Sequence, residues 1–171
     1  MNRLSGRLYF LMFWLVDGYN VALSDAKLSR MLRNDNEAGR RELLVEIAGS
    51  RRFSRQNITI VFDGRFAASS ARETPRLLVK FTDRGETADD LIKREIGESV
   101  RRRALTVVTD DRSILAYARE CGAKTLGSTE FLSMVRGKVP AGKNAETLSE
   151  KPEPAGRPDP DLLKMFTGKK R

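Results

Sequence analysis

The sequence predicts an α/β protein with a mainly parallel sheet of about five strands and helices on both faces. Three observations predict it. The run "YFLMFWLV" is continuously apolar, as expected of a strand buried on both faces, and "NITIVF" and "LTVV" are further apolar-rich runs of strand length. Segments with apolar residues at helical spacing lie between such runs. Strands that alternate with helices along a chain pair in parallel, with the helices as crossovers.

Taken in order, residues 10–16 of "YFLMFWLV" form the first strand, after an N-terminal extension over residues 1–9. The charged start and apolar run resemble a signal peptide, but the run is too short to span a bilayer and no small-residue cleavage site follows. "EAGRRELLVEIAGSRRF" places Leu43, Leu44, Ile47 and Ala48 at helical spacing. "NITIVFDG" is the second strand and "RLLVKFT" the third. "ADDLIKREIGESVRRR" is a helix, "ALTVVTDD" the fourth strand, and "RSILAYARECG" a helix closed by Gly122. "AKTLG" is a short fifth strand and "STEFLSMV" the last helix. The expected domain therefore covers residues 10–136. Residues 137–171 are rich in Pro, Gly and charge with no apolar period, the composition of a disordered basic tail. Their end, "LLKMFTGKKR", reads as a frayed terminus or a short basic anchor.

Composition limits the chemistry. With 32 Lys and Arg against 23 Asp and Glu, the net charge of +9 calls for an acidic partner, nucleic acid before an anionic membrane. A single cysteine, Cys121, rules out an internal disulfide and fits a reducing, cytoplasmic setting. The absence of histidine excludes Ser-His-Asp and Cys-His catalysis and leaves no plausible zinc site. Any catalysis must come from carboxylates, hydroxyls, Lys, Arg or a hard cation held by oxygen.

The acids fall where such a cation would bind. Strand one ends at Asp17, strand two at Asp63, and strand four at Asp110 and Asp111. The helix after strand three opens "ETADD", with Glu86, Asp89 and Asp90. In an open parallel sheet the carboxyl ends of the strands share one edge, and ligands bind there. Any one of these acids can cap a helix or close a turn. Several together repel one another, and a divalent cation relieves that cost. An acidic pit in a basic protein is the pattern of a metal-dependent nuclease.

The pair in "GETADD" divides by helical geometry. Thr87 and Asp90 have the spacing of a capping box, with Asp for the usual Glu. Asp89 shares the face of Ile92 and Ile96 and should point inward; Asp90 is rotated about 100° away. No G-x-G-x-x-G or G-x-x-x-x-G-K-[ST] loop is present to suggest a nucleotide site. A phosphoacceptor receiver built on Asp63 would leave Asp89 and the pair after strand four unexplained.

"LVDGYNV", "IVFDG", "GETADDLI" and "VVTDD", in that order, resemble the NYN domain, and more narrowly the YacP-like group of the PIN-like ribonuclease superfamily. The resemblance covers residues 10–135 and implies a three-layer PIN-like α/β/α fold. It also implies a metal-dependent endoribonuclease that uses Mg²⁺ or Mn²⁺ to activate water. By motif, Asp17, Asp89 and Asp110 match the family's metal-binding acids, Asn20 its polar residue beside the first, and Asp63 its second-strand acid. Asp111 is a further metal candidate, and Glu86, Asp90 and Thr109 are supporting ones. Implied partners are messenger RNA and the ribosome.

RNA contacts are expected first from Arg65 and Arg84, beside the acidic edge. Tyr19 can stack on a base or pack under its loop. Arg51, Arg52, Arg55, Arg72 and Arg101 to Arg103 can track phosphates or serve as solvated surface. Ser113 reads as a helix cap before a ligand contact. A non-catalytic RNA- or ribosome-binding module is the alternative function. Oligomeric state is not legible.

Overall fold

Each apolar run becomes a strand of one sheet. The computed structural model describes residues 12–64 and 76–138. The strands are β1 (Phe13–Asp17), β2 (Asn57–Phe62), β3 (Leu77–Phe81), β4 (Leu105–Val108) and β5 (Lys124–Leu126). All neighbours pair in parallel, in the order β3-β2-β1-β4-β5. The chain builds outward from β1 in one direction, then returns to lay β4 on its other side. The strand order therefore reverses between β1 and β4.

Helices α1 (Gly18–Leu23), α2 (Ala26–Asn34), α3 (Asn36–Gly49) and α6 (Ser128–Val135) cover one face. Their buried residues, among them Val21, Leu28, Leu43, Ile47 and Phe131, pack with Val16, Ile60 and Val108 of the sheet. Helices α4 (Ala88–Glu98) and α5 (Arg112–Glu120) cover the other face, with Ile92, Ile96, Ile114 and Ala118 against Leu15, Val61 and Val107. The alternation of Leu15 and Val16 between the two cores is the period-two pleat of a strand buried on both faces. The layers are the α/β/α arrangement expected.

Three boundaries differ from expectation. Helices α1 and α2 replace a stretch in which no element was expected. Aspartates make them possible: Asp17, Asp25 and Asp35 cap α1, α2 and α3, each side chain accepting from backbone N–H groups of its helix's first turn. The helix expected to run through Phe53 stops at Gly49, where Ser50 turns to extended backbone. The helix expected to include Arg101 to Arg103 stops at Glu98. Ser99 is extended, Val100 is 97% exposed, and the arginines that follow offer nothing apolar to bury. They form a single 3-10 turn, Arg102–Ala104, leading into β4. Gly122 follows α5 with φ +79, the left-handed stop expected there.

The expected N-terminal extension, the basic tail, Arg65 and Arg72 lie outside the described residues.

Candidate functional site

The site is assembled by strand alternation and helix capping. Asp17 ends β1 on the side of Leu15, the side covered by α4 and α5. It is 5% exposed. Its Oδ1 accepts the Asn20 backbone N–H at 3.1 Å and its Oδ2 the Asn20 side-chain amide at 2.8 Å. The Thr109 hydroxyl, fully buried after β4, donates to Oδ2 at 3.2 Å. Three donors hold this carboxylate in one orientation. The glycine in "DGYN" is required by packing: a Cβ on Gly18 would lie 2.3 Å from a ring carbon of Phe62.

Thr109 also joins the two sides of the switch point. The same oxygen that donates to Asp17 accepts the Asp111 N–H at 3.1 Å. Asp111 then caps α5, accepting from Ser113 N at 2.7 Å and Ile114 N at 3.0 Å. Those bonds hold its carboxyl below the usual carboxylate value.

Asp89 differs from both. It lies in the first turn of α4, half-buried, and its carboxylate makes no hydrogen bond among the described residues. Burial pushes its carboxyl above the usual value, and the charge of Asp111 pushes it further. Asp17 and Asp90 add to that repulsion, while Lys93 opposes it. Asp17, Asp89 and Asp111 thus share one electrostatic neighbourhood at the β1–β4 reversal, where open parallel sheets bind ligands.

Asp90 is spent in the capping box. Asp90 N donates to the Thr87 hydroxyl oxygen at 3.2 Å, and Thr87 N and its hydroxyl donate to Asp90 at 3.3 and 2.7 Å. The Thr87 hydroxyl is the main reason that the Asp90 carboxyl is held low.

Most of the remaining expected residues are engaged with partners outside this group. Asp110 turns the other way from Asp111: its Oδ1 accepts Ser128 N at 3.0 Å and so serves the start of α6, whose own N-cap, Gly127, has no side chain to offer. Asp63 accepts the Thr82 hydroxyl at 2.8 Å, which ties the ends of β2 and β3. Glu86 pairs with Arg94. Tyr19 packs edge-on against Phe62 at 5.3 Å, and its hydroxyl accepts from Arg40 at 3.3 Å. Arg84 is exposed in the turn between β3 and α4, on the acidic edge. Ser113 is the first-turn partner of Asp111.

Two contributors escaped the sequence reading. Lys93 is the cation that faces Asp89, and its signal was the i,i+4 spacing along α4. Thr82 anchors Asp63 and left no spacing signal, because its partner comes from another strand.

The donor set is all oxygen, which suits Mg²⁺ or Mn²⁺. Among the described residues, no three acids are gathered tightly enough to form a ready-made metal cage. Mg²⁺ does not need one, since it commonly takes one or two carboxylates and completes its shell with water and substrate phosphate. The unbonded, repelled carboxylate of Asp89 fits that role.

The model of the YacP-like NYN domain matches residues 14–161. The chain belongs to the YacP-like NYN domain family. This is a family of PIN-like ribonucleases. The match continues beyond residue 136, the expected end of the domain, into residues outside the described ones. The chain is also similar to the crystal structure of Rae1 (YacP) from Bacillus subtilis, with TM-score 0.60 and 25% identity over 73% of this chain and 74% of that one. A point mutant of the same protein gives TM-score 0.61 and 26% identity over 74% and 76%. No curated protein matches by sequence. Among the described residues no helix is long and apolar enough to cross a membrane.

Proposed function

We propose that this YacP-like NYN domain is a metal-dependent endoribonuclease working at the β1–β4 reversal. The observation that carries the reading is Asp89, a half-buried carboxylate without a hydrogen bond among the described residues, repelled by Asp111 and Asp17. A fold stabilises such an arrangement poorly unless a cation offsets the repulsion. Asp17 and Asp89, with Asp111 beside them, would hold Mg²⁺ or Mn²⁺, and that ion would activate water and stabilise the leaving oxygen.

The chain's own groups have separate parts. Asn20 and Thr109 orient Asp17. Thr109 also fixes the start of α5, and with it Asp111. Lys93 moderates the negative charge around Asp89 and offers a donor to a substrate phosphate. Arg84 is an exposed cation on the same edge for the RNA strand. Asp110 and Asp63, which the resemblance implies as active-site acids, each accept one hydrogen bond that secures secondary structure, from Ser128 N and the Thr82 hydroxyl. Messenger RNA, engaged at the ribosome, is the substrate that the resemblance favours.

The test incubates pure protein with RNA and Mg²⁺ or Mn²⁺, with and without chelator, beside Asp17→Asn. Cleavage that needs the metal and disappears in the variant supports the reading. Equal cutting by wild type and Asp17→Asn would sink it. One observation favours the second reading, a non-catalytic RNA-binding module: no three described acids form a preassembled cage. Salt-sensitive, chelator-insensitive RNA binding without cleavage is its signature.

A further inference from the structure

Of the described arginines that the sequence offered as phosphate contacts, Arg84 stands at the acidic edge. The others, Arg51, Arg52, Arg55 and Arg101 to Arg103, stand at the opposite edge of the sheet, where the parallel strands begin. Arg51, Arg52 and Arg55 lie in the turn that leads into β2. Arg76 immediately precedes β3, and its guanidinium donates to the Arg55 carbonyl at 2.8 Å, which ties the starts of β2 and β3 together. Arg101 to Arg103 form the turn that leads into β4. All seven are exposed.

The placement follows from topology. In an all-parallel sheet every segment before a strand reaches one edge and every segment after a strand reaches the other. Strands of about five residues separate those edges by roughly 17 Å. These arginines therefore cannot hold the phosphate that meets Asp17 and Asp89. From β3 to β4 they extend over three strand spacings, roughly 14 Å, enough for more than one phosphate.

We infer that this edge is a second RNA-binding surface, which holds the phosphate backbone of RNA away from the acidic site. Three features favour RNA. Seven arginines stand here with the exposed Lys124 at the start of β5, and arginine's planar fork donates two parallel hydrogen bonds to phosphate where lysine acts as a point charge. Arg51, Arg52, Arg101, Arg102 and Arg103 form no ion pair with a carboxylate among the described residues. The edge is also grooved: a concavity of about 420 Å³ opens beside Phe13, Asn57 and Arg101, with Glu98 and the Lys80-paired Glu95 also in its lining. Arg101 is held over the Phe13 ring at 5.0 Å, and Arg102 donates to the Gly97 carbonyl, so part of the patch is preset. Glu98 and Glu120 border the Arg101–Arg103 turn and are the nearby counter-charges. The surface goes beyond the proposed reaction and does not depend on it, since binding here needs no cleavage.

The experiment reads binding alone. Full-length protein carrying Asp17→Asn is titrated against a fluorescent RNA hairpin over a range of salt. In that background Arg51, Arg52 and Arg103 are changed together to alanine. A control removes the same charge from the α2–α3 surface through Arg30, Arg33 and Arg41. The edge variant should bind at least about 10-fold more weakly near 0.1 M salt, and the slope of log K against log salt should flatten by about 2. The control should stay within about twofold. Circular dichroism confirms that both variants fold. Equal loss in edge variant and control, or no loss in either, overturns the proposal. So does an edge variant that loses binding to anionic lipid vesicles while keeping RNA, because that would make the patch a membrane contact. Failure of the cleavage assay alone leaves these outcomes unchanged, so the two readings fail separately.

Discussion

The chain contains two adjacent aspartate pairs, and the fold treats them differently. In the pair at the start of α4, one acid is used and one is left over: Asp90 closes the capping box, while the Asp89 carboxylate has no hydrogen bond among the described residues. In the pair after β4 both are used. Asp110 serves the start of α6 and Asp111 the start of α5. Helical geometry separates the first pair by about 100° on one helix. A change of direction between strand and helix separates the second, sending its members to helices on opposite faces of the sheet. On the proposed reading, what sets Asp89 above Asp90 is that its carboxylate has no hydrogen-bond partner among the described residues.

The largest expected effect tests that ranking. Asp89→Asn should lower RNA cleavage about 100-fold or more, the scale of losing one electrostatic group at a reacting centre. It should leave the melting temperature unchanged or slightly higher at neutral pH. The sign follows from the raised carboxyl. A carboxylate whose pKa is higher folded than unfolded favours folding only while protonated, and opposes it once pH passes the folded value. A variant that loses stability along with activity would show that Asp89 is structural.

The same shift predicts a pH effect. In the metal-free protein the Asp89 carboxyl should titrate above the ordinary aspartate range by NMR. In Asp111→Asn the largest repelling charge is gone, so the titration should move to lower pH. A titration that stays in place in that variant would detach Asp89 from Asp111.

Thr109→Val comes next. It removes a buried hydroxyl that serves Asp17 and Asp111 N, and should cost about 1–3 kcal/mol in denaturant unfolding. A loss under about 0.5 kcal/mol, small on that same scale, would mean that the two sides of the switch point are held by other contacts. Asp110→Ala should cost about 1 kcal/mol, the usual value of a lost helix-start acceptor, with only an indirect effect on cleavage. If it instead abolishes cleavage at full stability, Asp110 belongs with the reacting acids and the ranking of the two pairs is wrong.

The smallest effect is expected for Asp90→Asn: a melting temperature lower by a few degrees and cleavage close to wild type. Because the Thr87 hydrogen bonds hold the Asp90 carboxyl low, its contribution is present above the unfolded pKa and fades as pH falls through the folded one. The stability gap between wild type and variant should therefore close in acid. Cleavage lost as fully as in Asp89→Asn would show that the pair is divided wrongly.

The central strands β1 and β4 were legible because burial on both faces leaves apolar runs, and α3 to α6 because helices leave their period; the edge strands β3 and β5 were read from short apolar stretches. Helices α1 and α2 were not. The six-residue α1 is too short to show a period, and α2 buries only Leu28 and Ser29. Their signal lay in the capping residues Asp25 and Asp35 rather than in the hydrophobic pattern. At the site, the capping box of Thr87 and Asp90 could be read because it is local. That Asp111 neighbours Asp89 while Asp110 turns toward α6 could not, because it depends on the path from β5 into α6. The arginines show the same limit. Their residue type suggested phosphate, but only the strand order reveals which edge they occupy.

The position of β1 has a consequence for how the chain is made. This strand is translated first yet sits in the middle of the sheet, and its partner on one side, β4, is translated after β2, β3 and α4. Until then β1 keeps one row of backbone groups unpaired, the kind of open edge that recruits other chains. The acidic neighbourhood is completed by the same event, since Thr109 and Asp111 arrive with β4. A growing chain therefore passes through a stage that is prone to sticking and has an incomplete acidic site. Docking of one short strand ends both conditions together.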